Sequence, residues 1–188
     1  MKNVSLLSLA IALAFVGSVS AKDALVSGPQ EGDRIGAFYV TKCAGASDDG
    51  VEEGKNLCYR CKNGSRPQVM VFTRSTDAKV IDLVKKLDAA IGKNEDAQLK
   101  AFVNLMGDSK EDLNESAKDM AAKTKASHIP FVVPNEFENG PDNYGINAKA
   151  AVTVVMAGNA QVKASYAVAD AKDLDVDAVV ANLSKILQ

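Results

Sequence analysis

Leu57-Cys58-Tyr59-Arg60-Cys61-Lys62-Asn63-Gly64-Ser65-Arg66-Pro67-Gln68-Val69-Met70-Val71-Phe72 joins the two closely spaced cysteines of the chain to its most strand-like run. Val69 to Phe72 has the length and β-branched content of a buried strand, and Pro67 stands at its mouth, where a missing N–H does least harm. Asn63-Gly64 supplies a turn between the two. Any chemistry of the cysteines therefore sits at the entrance of a core strand.

Downstream, Ser75 or Thr76 is placed to cap a helix running to about Ile91, with Val80, Ile81, Val84, Leu87 and Ile91 on one face and Gly92 as its stop. A strand follows from Leu99 to Met106. Ser109, with Asp112 three residues on, resembles a capping box, and the helix it opens is apolar at Leu113, Ala117, Met120 and Ala121. Ile129 to Val133 reads as a short strand, and a helical turn is expected around Asp142 to Ile146. Ala151 to Met156 and Gln161 to Val168 read as a hairpin whose glycine, Gly158, supplies the unusual backbone angles of the turn. Asp173 or Asp175 can cap a last helix with Val176, Val179, Val180, Leu183 and Leu187 facing inward. Upstream, Ala37 to Lys42 alternates as a strand that Cys43 closes. The order is strand, helix, strand, helix, strand, hairpin, helix, which predicts an α/β fold. A largely parallel sheet is expected, covered by helices on both faces, with the hairpin as an antiparallel edge.

The chain has 188 residues, a formal net charge of −2 and no tryptophan. No basic cluster interleaved with aromatics appears, so nucleic acid is not an expected partner. Lys2, an apolar run from Val4 to Val19 and the small residues Val19-Ser20-Ala21 have the form of a secretory signal peptide cut after Ala21. The run is short for a membrane span, so no membrane association is expected once it is removed. The expected organisation is a signal peptide over 1–21, a flexible lead-in over 22–35 and one domain over 36–188, in an exported protein, periplasmic or secreted. An oxidising compartment tends to close neighbouring thiols, which makes the odd third cysteine, Cys43, a free thiol, a pairing partner or a buried residue.

Three stretches carry a likeness to a known family: GDRIGAFYV (Gly32–Val40), RPQVMVFTRS (Arg66–Ser75) and YGINAKAAVTVVMAGNAQV (Tyr144–Val162). With the element order, they resemble the thioredoxin-like superfamily in its peroxiredoxin and redoxin branch, which includes the alkyl hydroperoxide reductase and thiol-specific antioxidant proteins. The resemblance implies a thioredoxin-like fold and, in the family, a nucleophilic cysteine just after the central strand. Here that place reads Thr73-Arg74-Ser75-Thr76-Asp77 and holds no thiol. The proline that thioredoxins set before the hairpin threonine is also replaced, by Val152 before Thr153. Cys58 and Cys61 lie at the opposite end of the strand, about 20 Å away at ~3.3 Å per residue. A reactive pair there is a new site on an old scaffold.

Cys58-Tyr59-Arg60-Cys61 admits three readings. As a dithiol/disulfide couple, the catalytic residues are Cys58 and Cys61, with Cys58 attacking, Cys61 resolving, and Arg60 and Lys62 favouring the thiolate. The partner is then a protein thiol or disulfide, and no cofactor is required. As a staple, Cys58 and Cys61 pair with each other, or either pairs with Cys43, in a non-catalytic binding or structural protein. As a metal knuckle, Cys58, Cys61 and Cys43 join His128, the only histidine, in a Cys3His set. His128 is expected at the same pole, two strand steps away. Haem attachment is excluded by Lys62, where a histidine is needed. Asp48, Asp49, Glu52 and Glu53 lack calcium-loop spacing and are expected to form a solvated loop, and Arg74 to be a surface residue.

Overall fold

The structure is a computed structural model that describes residues 25–187, so the signal-peptide expectation for 1–21 lies outside the described residues. Its centre is β3 (Gln68–Thr73), buried along its whole length. Pro67, just ahead of the strand, accepts from Lys100 N at 2.9 Å through its carbonyl. β4 (Lys100–Leu105) runs parallel to β3 on one side, and β6 (Val152–Gly158) antiparallel on the other. With β1 (Val40–Ala44), β2 (Asn56–Leu57), β5 (Phe131–Pro134) and β7 (Gln161–Val168), the seven described strands take the order β2-β1-β5-β4-β3-β6-β7. Among them only β3-β4 and β4-β5 pair in parallel, each joined by a crossover helix, α2 (Ala78–Lys93) and α3 (Lys110–Thr124). The other four pairings among the described strands are antiparallel, so the sheet is mixed rather than largely parallel.

Side chains of a strand alternate between faces, and β3 divides the core accordingly. Val69 and Val71 meet α2, α3 and α4 (Val176–Ala181) through Leu83, Leu87, Met120 and Val179. Met70 and Phe72 point the other way, into Ile35, Phe38, Tyr59, Phe102 and Tyr144. That second face is covered by an aromatic layer and not by a long helix: Phe38 and Tyr144 meet edge-on at 4.7 Å, and Tyr59 stacks on Phe102 at 5.7 Å. Among the described residues, its α-helical cover is the five-residue α1 (Tyr59–Asn63).

Ahead of β1, the segment from Ser27 to Ile35 packs against this layer and the hairpin. Ile35 is buried, and the Ser27 hydroxyl lies 2.6 Å from that of Thr153 while accepting from Asn147 N at 2.9 Å. Gly28 N donates to Gly145 O, so the segment satisfies its polar groups on the Tyr144-Gly145 turn and the hairpin.

Several element ends differ from expectation for local reasons. Asp77, and neither Ser75 nor Thr76, caps α2, accepting from Lys79 N, while the Ser75 hydroxyl accepts from Asp77 N one step earlier. Gly92 lies inside α2, which ends at Lys93 with Asn94 as its C-cap. In the hairpin, positive φ falls on Asn159 and Ala160, not on Gly158. Ser109 caps α3 and Asp175 caps α4 as expected.

Gly45, just after β1, has φ +77°, and a Cβ there would run into the Ile129 carbonyl and lie 2.9 Å from the Phe131 ring. Gly45→Ala is expected to lower stability by about 2 kcal/mol or more, through both the left-handed backbone and the overlap. Urea denaturation measures it, and an unchanged midpoint would contradict the packing described for this turn.

Candidate functional site

α1 is a small, self-contained turn. Cys58 precedes it in extended backbone, and its Sγ accepts from Cys61 N at 3.0 Å. Gly64, at φ +63°, closes the other end, its N–H donating to Arg60 O and Cys61 O. Cys58 and Cys61 form a disulfide with Cα atoms 5.2 Å apart. The two sulfurs are not equivalent: Cys58 is 8% exposed, beside buried Tyr59, whereas Cys61 is exposed. Arg60 is half-buried with no hydrogen-bond partner for its Nε, while Lys62 is open to solvent.

The turn is anchored by a buried charge. Lys42, 2% exposed, directs its ammonium to Ala46 O, Val51 O and Asp49 Oδ1, each at 2.8 Å. A buried ammonium is tolerable only when its donors are satisfied and its charge is paired. The acidic segment therefore curls around it, with Val51 N also donating to Asp49 Oδ1. The second carboxylate oxygen of Asp49 accepts from the Tyr59 hydroxyl at 2.6 Å. Burial, and after it the hydrogen bond to Asp49 and its charge, push that hydroxyl far above the ordinary tyrosine range, so it remains a donor. The expectation of a solvated loop is thus correct for Asp48, Glu52 and Glu53, which are exposed, and wrong for Asp49. This Lys42-Asp49-Tyr59 chain was missed because a lysine at a strand end reads as solvent-facing; its one sequence signal is a lysine in phase with Phe38 and Val40.

A cleft of about 610 Å³ opens beside α1, lined by Tyr59, Lys62 and Asn63, by Ile91 and Leu99, and by His128. His128 does share the pole of the thiol pair. Cys43 does not reach it: it lines a different cavity with Lys110, Lys118 and Val133. Cys43 is a free, buried thiol that burial keeps protonated. The Cys43 bridges and the Cys3His set are therefore not formed; among the described residues, no group of three His, Cys, Asp or Glu could hold a metal ion.

No family model and no curated protein matches the chain by sequence. Solved structures do match by shape. Mycobacterium tuberculosis AhpC superposes with TM-score 0.61 at 15% identity, covering 85% of this chain and 99% of its own. A protein provisionally assigned as the thiol:disulfide interchange protein DsbE, from Chlorobium tepidum, gives 0.60 at 12% identity, covering 84% and 98%. Xanthomonas campestris Peroxiredoxin Q, in a form with one cysteine replaced by serine, gives 0.54 at 13%, covering 80% and 92%. The fold is thioredoxin-like, the fold these structures share. In this thioredoxin-like fold the turn after β3 is closed by its own hydrogen bonds. Thr73 Oγ1 donates to Ser75 O and accepts from Ser75 N, and Asp77 caps the helix. Arg74 is half-buried rather than a surface residue, its Nη1 donating to Glu138 O at 2.7 Å. The disulfide lies before β3, at the amino pole of the domain, as the order of residues requires.

Asp49→Asn removes the charge opposite a buried ammonium and is expected to cost about 3 kcal/mol. Adding Lys42→Met should recover much of that loss, because the orphaned charge is gone. Denaturant midpoints of the two single variants and the double variant measure the coupling; strictly additive losses would refute the pairing.

Proposed function

We propose that this protein is an exported thiol–disulfide exchange protein whose catalytic residues are Cys58 and Cys61. The observation that carries the reading is a closed disulfide with one of its two cysteines exposed, in a turn whose Tyr59 and Lys62 line a cleft. α1 is already fastened by the Gly64 cap and by Tyr59 on Asp49, so the bond adds little as a fastener. It closes a ring far shorter than the 15-residue loop for which chain entropy gives ~3 kcal/mol. Export is supported by the composition of residues 1–21, and in an oxidising compartment the resting pair is the disulfide. Among the described residues, no helix is long and apolar enough to cross a membrane.

The reaction needs sulfur alone. A partner's dithiol gives two electrons to the Cys58–Cys61 bond, or a partner's disulfide takes them from the reduced pair. A protein thiol is the partner this reading takes, and the neighbouring cleft offers it apolar Ile91 and Leu99 beside polar Lys62 and Asn63.

The wild type is expected to accelerate dithiothreitol-driven reduction of insulin, and Cys58→Ser to abolish this while leaving the protein folded. A wild type without activity, together with a Cys58→Ser variant of clearly lower stability, would instead make the bond a structural staple.

A further inference from the structure

We infer that exchange with an outside thiol runs through Cys61, with Cys58 as the sulfur that leaves and returns, the reverse of the order expected from the sequence. This rests on the thiol–disulfide reading and adds a direction to it. Thiolate attack on a disulfide is a displacement along the S–S axis, so the attacked sulfur must be reachable from outside. Cys61 is exposed; Cys58 is 8% exposed, next to buried Tyr59. Cys61 is therefore open to a donor thiolate from solvent, whereas Cys58 keeps 8% of its surface accessible.

The leaving sulfur is provided for as well. Cys61 N already donates to Cys58 Sγ at 3.0 Å, and the same N–H stabilises negative charge on that sulfur when the bond breaks. A stabilised leaving thiolate departs faster. Lys62, exposed beside Cys61, places positive charge on the approach path of an anionic attacker.

The steps balance as follows. A thiolate of a donor dithiol attacks Cys61 Sγ, forming a donor–Cys61 bond. The Cys58–Cys61 bond breaks, and its electron pair leaves on Cys58 as a thiolate, which takes a proton from water. The donor's second thiolate then attacks the donor sulfur of the mixed disulfide and releases Cys61 as a thiolate. The donor ends as a disulfide, and the protein has gained two electrons. Run in the other direction, Cys61 attacks a partner disulfide and Cys58 resolves the mixed disulfide.

The test compares single thiols in a Cys43→Ala background. Cys58→Ser leaves Cys61 alone, and Cys61→Ser leaves Cys58 alone. With 5,5′-dithiobis(2-nitrobenzoic acid), the lone Cys61 is expected to react at least tenfold faster than the lone Cys58, a margin of about 1.4 kcal/mol in barrier. Equal rates, or a faster Cys58, would overturn the inference. A second measurement needs no variant: the reduced wild type is labelled with substoichiometric iodoacetamide and cut with trypsin, which cleaves after Arg60 and separates the two cysteines. The first label is expected on Cys61. Insulin reduction by the same wild-type sample separates the two levels of the account. Activity with the label on Cys58 overturns only the direction, and absence of activity overturns the exchange reading and this inference with it.

Discussion

A single buried ammonium constrains this region of the molecule. Lys42 lies within a sheet, 2% exposed, and must find anionic and carbonyl partners without help from water. The segment from Ala46 to Val51 supplies them, which fixes the course of a glycine-rich acidic loop that has no regular structure of its own. Asp49 then has one oxygen left, and Tyr59 takes it. Because Tyr59 follows Cys58 directly and stacks on Phe102 of the core, the position of the disulfide turn is set jointly by a charge and by an aromatic layer. The pair of sulfurs is thus held on a rigid support although it stands outside any long helix or strand.

This arrangement puts the disulfide at the pole of the sheet opposite the turn that leads from β3 into α2. At the carboxyl end of β3, Thr73, Ser75 and Asp77 spend their hydrogen bonds on closing the turn and capping α2. At the amino end, the strands begin at Gln68, Lys100 and Phe131, and the loops that lead into them line a cleft beside the disulfide turn. The fold decides where such a pole exists. The side chains placed there decide what it does.

Much of the architecture was legible because it rests on short-range physics. The valine-rich run after Pro67 is a buried strand, the 3.6-residue spacing of Val80, Val84, Leu87 and Ile91 is a helix face, and Ser109 and Asp175 are caps. The place of the thiols ahead of the central strand followed from residue order alone. What was not legible depends on contacts between distant segments. The partnership of Lys42 with Asp49 and Tyr59 requires the loop to fold back, and the unequal exposure of Cys58 and Cys61 depends on how α1 lies against Phe102. The aromatic cover of the second face joins Phe38 to Tyr144 across more than a hundred residues, where no periodicity announces it. The hairpin turn went to Asn159 and Ala160 because the register of β6 carries Gly158 into the strand.

The most direct test of a reactive disulfide at this pole is its reduction potential, read by equilibrating the protein in dithiothreitol and glutathione buffers and counting free thiols by mass. A pair that exchanges with protein partners is predicted to lie above about −270 mV, in the range of dithiol exchange proteins. A value below about −300 mV, where structural disulfides lie, would contradict the account.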